Sequence, residues 1–296
     1  MAASKYEIFL KVVELGSLTR AAEEFGYTQS GVSHVISSLE EEFGFPMLIR
    51  RRSGARLTPD GARVLPAIRG IVASTEQLNQ LVSEINGLHA GTVRLGVFTS
   101  VAVHWLPGMI KAFQQDYPTV DFQLMNGDYH DVESWLADGS IDLGFVNLPL
   151  ELDCPCIPLL EDPLLAILPK DHRLAGQKYF PLQELEKEAF IGLLESSDHD
   201  ARRVMERAGI RPNIKFTTKD DYAIIAMVEQ GLGISIMPEL LLKGRTGQVA
   251  VKELSEPMSR TIALATPAAA QNSPCVRRFT EYVQRFLGLM PAAQHS

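Results

Sequence analysis

Residues 17–51 read SLTRAAEEFGYTQSGVSHVISSLEEEFGFPMLIRR, and the spacing of their apolar positions decides the N-terminal fold. Leu18, Ala21, Ala22 and Phe25 fall at i, i+3, i+4 and i+7, and so do Val32, Val35, Ile36 and Leu39, with Phe43 one turn further on. That period is one face of an α-helix. Just upstream, Tyr6, Phe9, Leu10 and Val13 repeat it. Each run ends on a glycine, Gly16, Gly26 or Gly44, a residue that readily takes the left-handed conformation closing a helix. Ser17 and Thr28 stand where N-cap acceptors are wanted. The three helices are expected to share one core, and the few residues between the second and third force the sharp bend of a helix-turn-helix.

Toward the C-terminus, the stretch from Phe45 to Leu57 holds Pro46, Gly54 and a basic run, too irregular for a helix, so a short hairpin or wing is expected. Thr58 then caps a new helix with Pro59 at its first position, where a missing N–H is harmless. Along this helix Val64, Ile68, Ile71, Thr75, Leu78, Val82 and Ile85 alternate by four and three, the seam of a coiled coil, and Leu65, Val72, Leu81 and Leu88 widen the stripe. A helix of this kind is expected to pair.

Beyond Gly87 and Gly91 the pattern changes to short apolar strands between amphipathic helices. Strands at Val93 to Phe98, Asp121 to Met125 and Asp142 to Val146, with helices at Leu106 to Tyr117 and Tyr129 to Ala137, predict a parallel α/β sheet. The proline-bearing stretch from Cys156 to Pro163 is expected to cross into a second lobe. There Leu164 to Leu168, Phe190 to Leu194 and Lys215 to Thr218 read as strands, and Ala201 to Ala208 and Tyr222 to Gln230 as helices. Ile262 to Ala265 leads back, and a last helix with Val276, Phe279, Val283 and Phe286 on one face is expected to pack on the first lobe. Two lobes with two crossings imply a cleft and a hinge. The expected division is a winged helix-turn-helix over 1–57, a linker and dimerisation helix over 58–88, and a sensor domain over 89–296. Within the sensor, lobe I covers 91–161 and 267–290, and lobe II covers 162–266.

The bulk numbers agree with such a multidomain α+β chain. Its 296 residues exceed one compact core, and 46% hydrophobic with 22% charged residues excludes disordered and fibrous classes. No run reaches the ~18 apolar residues of a membrane span. Lys5, Glu7, Lys11 and Glu14 interrupt any leader-like apolar core, so a cytoplasmic location is expected. Cys154, Cys156 and Cys275 fit a reducing compartment and form neither a disulfide framework nor a metal-ligand pattern. Gly231-Leu232-Gly233 lacks the third glycine of a dinucleotide fingerprint and follows a helix. No triad, phosphate loop or metal-ligand spacing appears, so no catalytic residue, metal or cofactor is assigned.

On the third helix, opposite the apolar stripe, Ser30, Ser33, His34 and Ser37 follow the same helical spacing, with Gln29 at the start. A merely solvated face favours Glu and Lys; small hydrogen-bonding groups suit close approach to base edges in a major groove. Net charge is −8, yet from Arg50 to Arg69 six arginines face the single acid Asp60. Arg50, Arg51, Arg52 and Arg56 in the wing suit neutralising phosphates or probing a minor groove. Glu40, Glu41 and Glu42 sit at the far end of the third helix, so the helix is expected to enter the groove N-terminus first.

These features together resemble the LysR-type transcriptional regulators. The Ala21-Ala22 pair, Gln29-Ser30, Leu39-Glu40-Glu41-Glu42 before Phe43-Gly44, and LTPDGARVLP over 57–66 carry the resemblance in the N-terminal segment. It extends along the chain through Leu106-Pro107, Asp142-Leu143-Gly144-Phe145 and the Gly231 to Ile234 turn leading to Pro238. The resemblance implies base and phosphate contacts at Gln29, Ser30, Ser33, His34, Ser37, Arg50, Arg51 and Arg52. His34 stands where the family often has Arg, and the wing reads Ile49-Arg50-Arg51-Arg52 where Phe-Glu-Arg is usual. It further implies a periplasmic-binding-protein-like sensor, a homodimer or homotetramer, an interrupted palindromic operator in double-stranded DNA, and RNA polymerase as a partner. Implied effector contacts fall on Thr99, Ser100, Asn126, Asn147, Ser196, Ser197, Asp198, His199 and Thr218. Thr99 and Ser100 end a strand directly before a helix, which favours a carboxylate or other small anion, and the effector expected is a carboxylate or amino acid. The competing expectations are a solute-binding protein with oligomerising N-terminal helices and an α/β enzyme with a regulatory N-terminus.

Overall fold

The computed structural model describes residues 3–51, 54–85, 90–194, 200–245, 247 and 249–290. The expectations placed on Arg52, Leu88, Ser196, Ser197, Asp198 and His199 lie outside the described residues. The chain divides into two compact units, one holding the chain up to Ile85 and the other most of it from Ala90 onward.

In the first unit α1 (Lys5–Leu15), α2 (Leu18–Phe25) and α3 (Gln29–Phe43) precede a hairpin of β1 (Leu48–Arg51) and β2 (Gly54–Leu57), then α4 (Pro59–Ile85). The expected caps are present. Ser17 Oγ accepts from the Arg20 N–H at 3.3 Å, Thr28 Oγ1 from the Gly31 N–H at 3.1 Å, and Thr58 Oγ1 from the Gly61 N–H at 2.9 Å. Phe9, Val12, Ala21, Ala22, Val32, Ile36 and Leu39 form the core, joined by Met47 and Leu48 beneath the wing. The wing is fastened where the Ala55 N–H donates to Gly16 O at 2.7 Å. Gly54 sits there with φ +127, and a Cβ on it would lie 2.4 Å from Gly16 O, so both backbone and space demand glycine. Leu65 and Ile68 of α4 are spent inside this core. Further along the stripe Val72 is buried, while Ile71, Leu78, Leu81, Val82 and Ile85 are exposed.

The second unit starts with β3 (Gly91–Val97), α5 (Thr99–His104), α6 (Leu106–Asp116), β4 (Val120–Asn126), α7 (Tyr129–Ala137) and β5 (Leu143–Leu148). A long strand β6 (Cys156–Leu168) leads to β7 (Tyr179–Phe180), β8 (Ala189–Leu193), α8 (Asp200–Ala208), β9 (Asn213–Thr218) and α9 (Asp221–Glu229). β10 (Ser235–Pro238), α10 (Glu239–Leu242), β11 (Ala250–Leu254), β12 (Ser259–Ala265) and α11 (Pro274–Phe286) complete it. The main sheet runs β4-β3-β5-β12-β6-β11-β7, with β10 also on β6.

The expected parallel sheet is present across β4, β3 and β5, and the stretch from Cys156 to Pro163 leads into the second lobe as expected. Beyond those strands the main sheet is mixed: β12 pairs antiparallel with β5 and β6, β6 antiparallel with β10 and β11, and β11 parallel with β7. The reason is that the lobes are joined by extended strands running in opposite directions, not only by helical crossovers. The stretch from Cys156 to Pro163 is correspondingly strand, continuous with Leu164 to Leu168. Its prolines are tolerated because the β6–β12 register shifts between Ile262 and Ala263, which pair with Leu160 and Pro158, and because Pro163 lies at the ladder's end opposite Ser259.

The first-lobe core contains Val93, Leu95, Phe113, Phe145 and, from α11, Val276, Phe279 and Val283. Ile262 and Leu264 of β12 belong to it, so the chain is already back in the first lobe by Ile262. The second lobe packs Leu164, Leu168, Phe190, Val204 and Ile236 on one side and Ile167, Ile191, Ile224 and Met237 on the other.

Candidate functional site

On α3 the buried Val32, Ile36 and Leu39 turn Gln29, Ser30, His34 and Ser37 outward, with Ser33 half-buried beside them. Ser30 Oγ lies 3.0 Å from Thr28 Oγ1 at the helix start. Arg51 and Arg56 are exposed on the hairpin, whereas Arg50 reaches back to α3. Its guanidinium donates to Ser33 Oγ at 2.8 Å, Ser37 Oγ at 3.0 Å and Glu40 Oε2 at 3.2 Å. Glu40 Oε1 accepts the backbone N–H groups of Met47 and Leu48 at 2.8 and 3.0 Å, and Glu42 pairs with Lys5. Two of the three acids at the end of α3 thus hold the unit together.

In the second unit a cleft of about 260 Å³ opens between the lobes. Phe98, Thr99 and Ser100 at the end of β3, Asn126 at the end of β4, and Asp128 and Tyr129 at the start of α7 form one wall. Asp200, Lys219, Asp221 and Met237 face them from the second lobe, with Arg260 at the base. Strand ends meeting helix starts are the usual place for a ligand in α/β sheets.

Arg260 organises the base of the cleft. It stands opposite Asp162 in the β6–β12 ladder and donates to Asp162 Oδ2 from Nε at 2.9 Å and from Nη2 at 2.7 Å. Nη2 also donates to Ser100 Oγ at 2.7 Å and Nη1 to the Tyr129 hydroxyl, while Phe98 lies 5.0 Å beneath the guanidinium. Tyr129 in turn donates to Asp200 Oδ2 at 2.9 Å, and Asp200 Oδ1 accepts from Arg203 at 2.7 Å and from Asn147 Nδ2 at 3.2 Å. Burial alone would lower the Arg260 pKa, but the facing Tyr129, Asp200 and Asp162 outweigh it and hold it above the ordinary value. Through Asp200 the network ties α8 of the second lobe to α7 of the first. Burial also pushes the Asp221 carboxyl above its usual range, against the pull of the Thr99 hydroxyl and Arg260; Asp220 and Asp200 add to the rise.

Of the expected effector residues, Thr99, Ser100 and Asn126 line this cleft. Asn147 does not; it is buried behind Asp200. Thr218 accepts the Asp220 N–H at 3.2 Å as a turn residue, and its neighbour Lys219 lines the cleft instead.

The N-terminal geometry and the two-lobed unit both find counterparts. Residues 4–62 match the bacterial regulatory helix-turn-helix protein, lysR family, and residues 86–288 the LysR substrate binding domain. The chain belongs to the LysR family of transcriptional regulators. The uncharacterized HTH-type transcriptional regulator YvbU of Bacillus subtilis is 31% identical over 97% of this chain and 99% of that one. HinK, a LysR family regulator from Pseudomonas aeruginosa, is 30% identical in its crystal structure, with a TM-score of 0.59 over 97% of this chain and 98% of that one. The regulatory domain of CcmR from Synechocystis, solved in complex with 2-PG, is 26% identical with a TM-score of 0.62, covering 68% of this chain and 99% of that one. The LysR-type chain accordingly has a DNA-binding helix-turn-helix and an effector-binding domain, and its relatives are regulators, not enzymes. Among the described residues no helix is long and apolar enough to cross a membrane.

Sequence reading placed the strand-end residues of the cleft but missed Arg260, Asp162, Asp200, Tyr129 and Asp221. The one available signal was charge inside apolar strands: Asp162 interrupts the β6 run and Arg260 opens β12. A charged group in a buried strand asks for a partner.

Proposed function

We propose that this LysR-type regulator acts in the cytoplasm as a homodimer or homotetramer on an interrupted palindromic operator, α3 lying in the major groove. Gln29, Ser30, Ser33, His34 and Ser37 face the bases, and Arg51 and Arg52 take flanking phosphates. RNA polymerase is the downstream partner. The exposed row of small polar groups on α3 supports this reading more than any other single observation, since it gives base edges close access. Gln29→Ala should reduce discrimination between operator and random duplex by about 1–3 kcal/mol. Arg51→Ala should weaken every duplex alike and flatten the salt dependence by about one unit of slope. Footprinting and salt titration measure both; unchanged preference in the first together with an unchanged slope in the second defeats the assignment.

For the effector, an amino acid fits the cleft better than a plain carboxylate. Asp128, Asp131, Asp200 and Asp221 line it against Lys219 and Arg260, and Arg260 already faces Asp162 and Asp200. An ammonium beside Asp221 relieves the cost of its buried charge, while Lys219 receives the carboxylate. Thermal shift of the full chain against amino acids and matched acids lacking the amine distinguishes the two. A ligand at ~100 times its Kd adds about 2.7 kcal/mol; equal stabilisation by the amine-free acids removes the amino-acid reading.

A further inference from the structure

β1 alternates its faces, so Arg50 shares a side with the buried Leu48 and points toward α3, whereas Arg51 points the other way. Ser33, Ser37 and Glu40 lie at i, i+4 and i+7 of α3, one row along the helix. The Arg50 fork lies over that row, with Nη1 at 2.8 Å from Ser33 Oγ and Nη2 at 3.0 Å from Ser37 Oγ. Glu40 anchors it at the far end while its other oxygen holds the Met47 and Leu48 backbone. The guanidinium is thus built into the surface that reads DNA rather than extended from the wing.

We propose that Arg50 is a specificity-determining residue that turns Ser33 and Ser37 into donors. The operator then presents acceptor edges, guanine O6 and N7 or thymine O4, at the base pairs these serines face, instead of the amino groups of adenine or cytosine. This rests on the reading of α3 as the recognition helix.

A hydroxyl has one O–H and two lone pairs, so a serine alone reads donors and acceptors equally. Here each oxygen already accepts from a cation about 3 Å away. The positive charge polarises the O–H outward and strengthens its bond to an acceptor. A base amino group approaching the remaining lone pair meets the same charge and is repelled. Releasing Arg50 to a phosphate breaks the bonds to both serines and to Glu40, and Arg51 stands exposed for that role.

The test uses the full-length protein and selection from randomised duplex DNA, comparing wild type with Arg50→Lys, Arg50→Ala, Ser33→Ala and the Arg50→Lys, Ser33→Ala double variant. Lysine keeps the charge but is a single point donor that cannot span both hydroxyls. Arg50→Lys is expected to lose roughly five- to tenfold of the acceptor preference at the positions facing the serines, with the salt slope unchanged. Ser33→Ala added to Arg50→Lys is expected to change little at the Ser33 position, because the two act as one unit. An Arg50→Lys consensus identical to wild type overturns the proposal and leaves the recognition helix standing. So does an Arg50→Ala variant that weakens all sequences equally with a shallower salt slope, the mark of a phosphate contact. A wild-type protein that enriches no sequence overturns the recognition-helix reading and this proposal with it.

Discussion

Removing the guanidinium of Arg260 leaves Asp162, 1% exposed, and Asp200, 7% exposed, without the cation between them. Breaking a buried pair from one side costs about 3–5 kcal/mol. Arg260→Met should therefore lower the melting temperature of the sensor unit by on the order of 10 °C, at about 2–4 °C per kcal/mol for a domain of this size. Adding Asp162→Asn should return part of that loss, and a thermal scan of single and double variants reads it; strict additivity contradicts the pairing. Asp221 behaves in the opposite sense. Its carboxyl is raised in the folded protein, so its contribution to stability is full below the ordinary carboxylate range and is lost as pH rises through the elevated value. Asp221→Asn should raise the melting temperature at pH 7.5 and lose that advantage as pH falls through the elevated value, where wild type becomes protonated too. Thr99 and Ser100 were legible because a strand followed by a helix start places them at a sheet's carboxyl edge, whereas Asn126 came from the family resemblance alone. Arg260 and Asp162 were not legible: they meet 98 residues apart through the pairing of β6 with β12, which no local pattern announces.

Gly61, in the first turn of α4, shows how element packing overrides local preference. Alanine is ordinarily the better helix former by about 1 kcal/mol, yet a Cβ here would lie 2.2 Å from Met47 O, the carbonyl that also receives the Thr58 N–H. Gly61→Ala should cost about 1–3 kcal/mol in a urea melt of the full chain, because the neighbour is backbone and cannot rotate away. A variant as stable as wild type would show that the wing is not seated on α4 in this way. α2 and α3 were readable because period, N-cap and closing glycine agree in each, and α1 because its period ends on a glycine: Gly16, Gly26 and Gly44 have φ of 60°, 68° and 79°. β6 was readable only over Leu164 to Leu168; its first half was not, since Pro158 and Pro163 are strand breakers by local chemistry, accommodated by the shifted register opposite Ile262 and Ala263 and by the ladder's end opposite Ser259. β10 and β11 were missed for a related reason. Each is short, 4 and 5 residues, and takes its stability from lying on β6, a neighbour remote in sequence.

For the molecule as a whole, the distal part of α4 decides what the two units can do together. Leu78, Val82 and Ile85 follow coiled-coil spacing at 59%, 49% and 83% exposure, while the earlier members Leu65 and Ile68 are consumed by the winged core. An exposed heptad stripe of this size is costly in water unless a second helix covers it. If the operator is the interrupted palindrome proposed above, its two half-sites need two recognition helices in one assembly, and a second copy of α4 is the occupant that supplies the second. Linking the two readers raises operator affinity by roughly 10²–10⁴ over a lone half-site contact. The double variant Leu78→Glu and Val82→Glu places charge at adjacent seam positions without touching either core. It should sediment as a smaller species than wild type, and its affinity for a palindrome should fall to near that for a half-site. Its melting curve is expected to lose the concentration dependence that assembly confers. A variant that kept both the wild-type sedimentation and the palindrome preference would locate the pairing surface elsewhere, because two glutamates on each facing helix cannot share a dry seam.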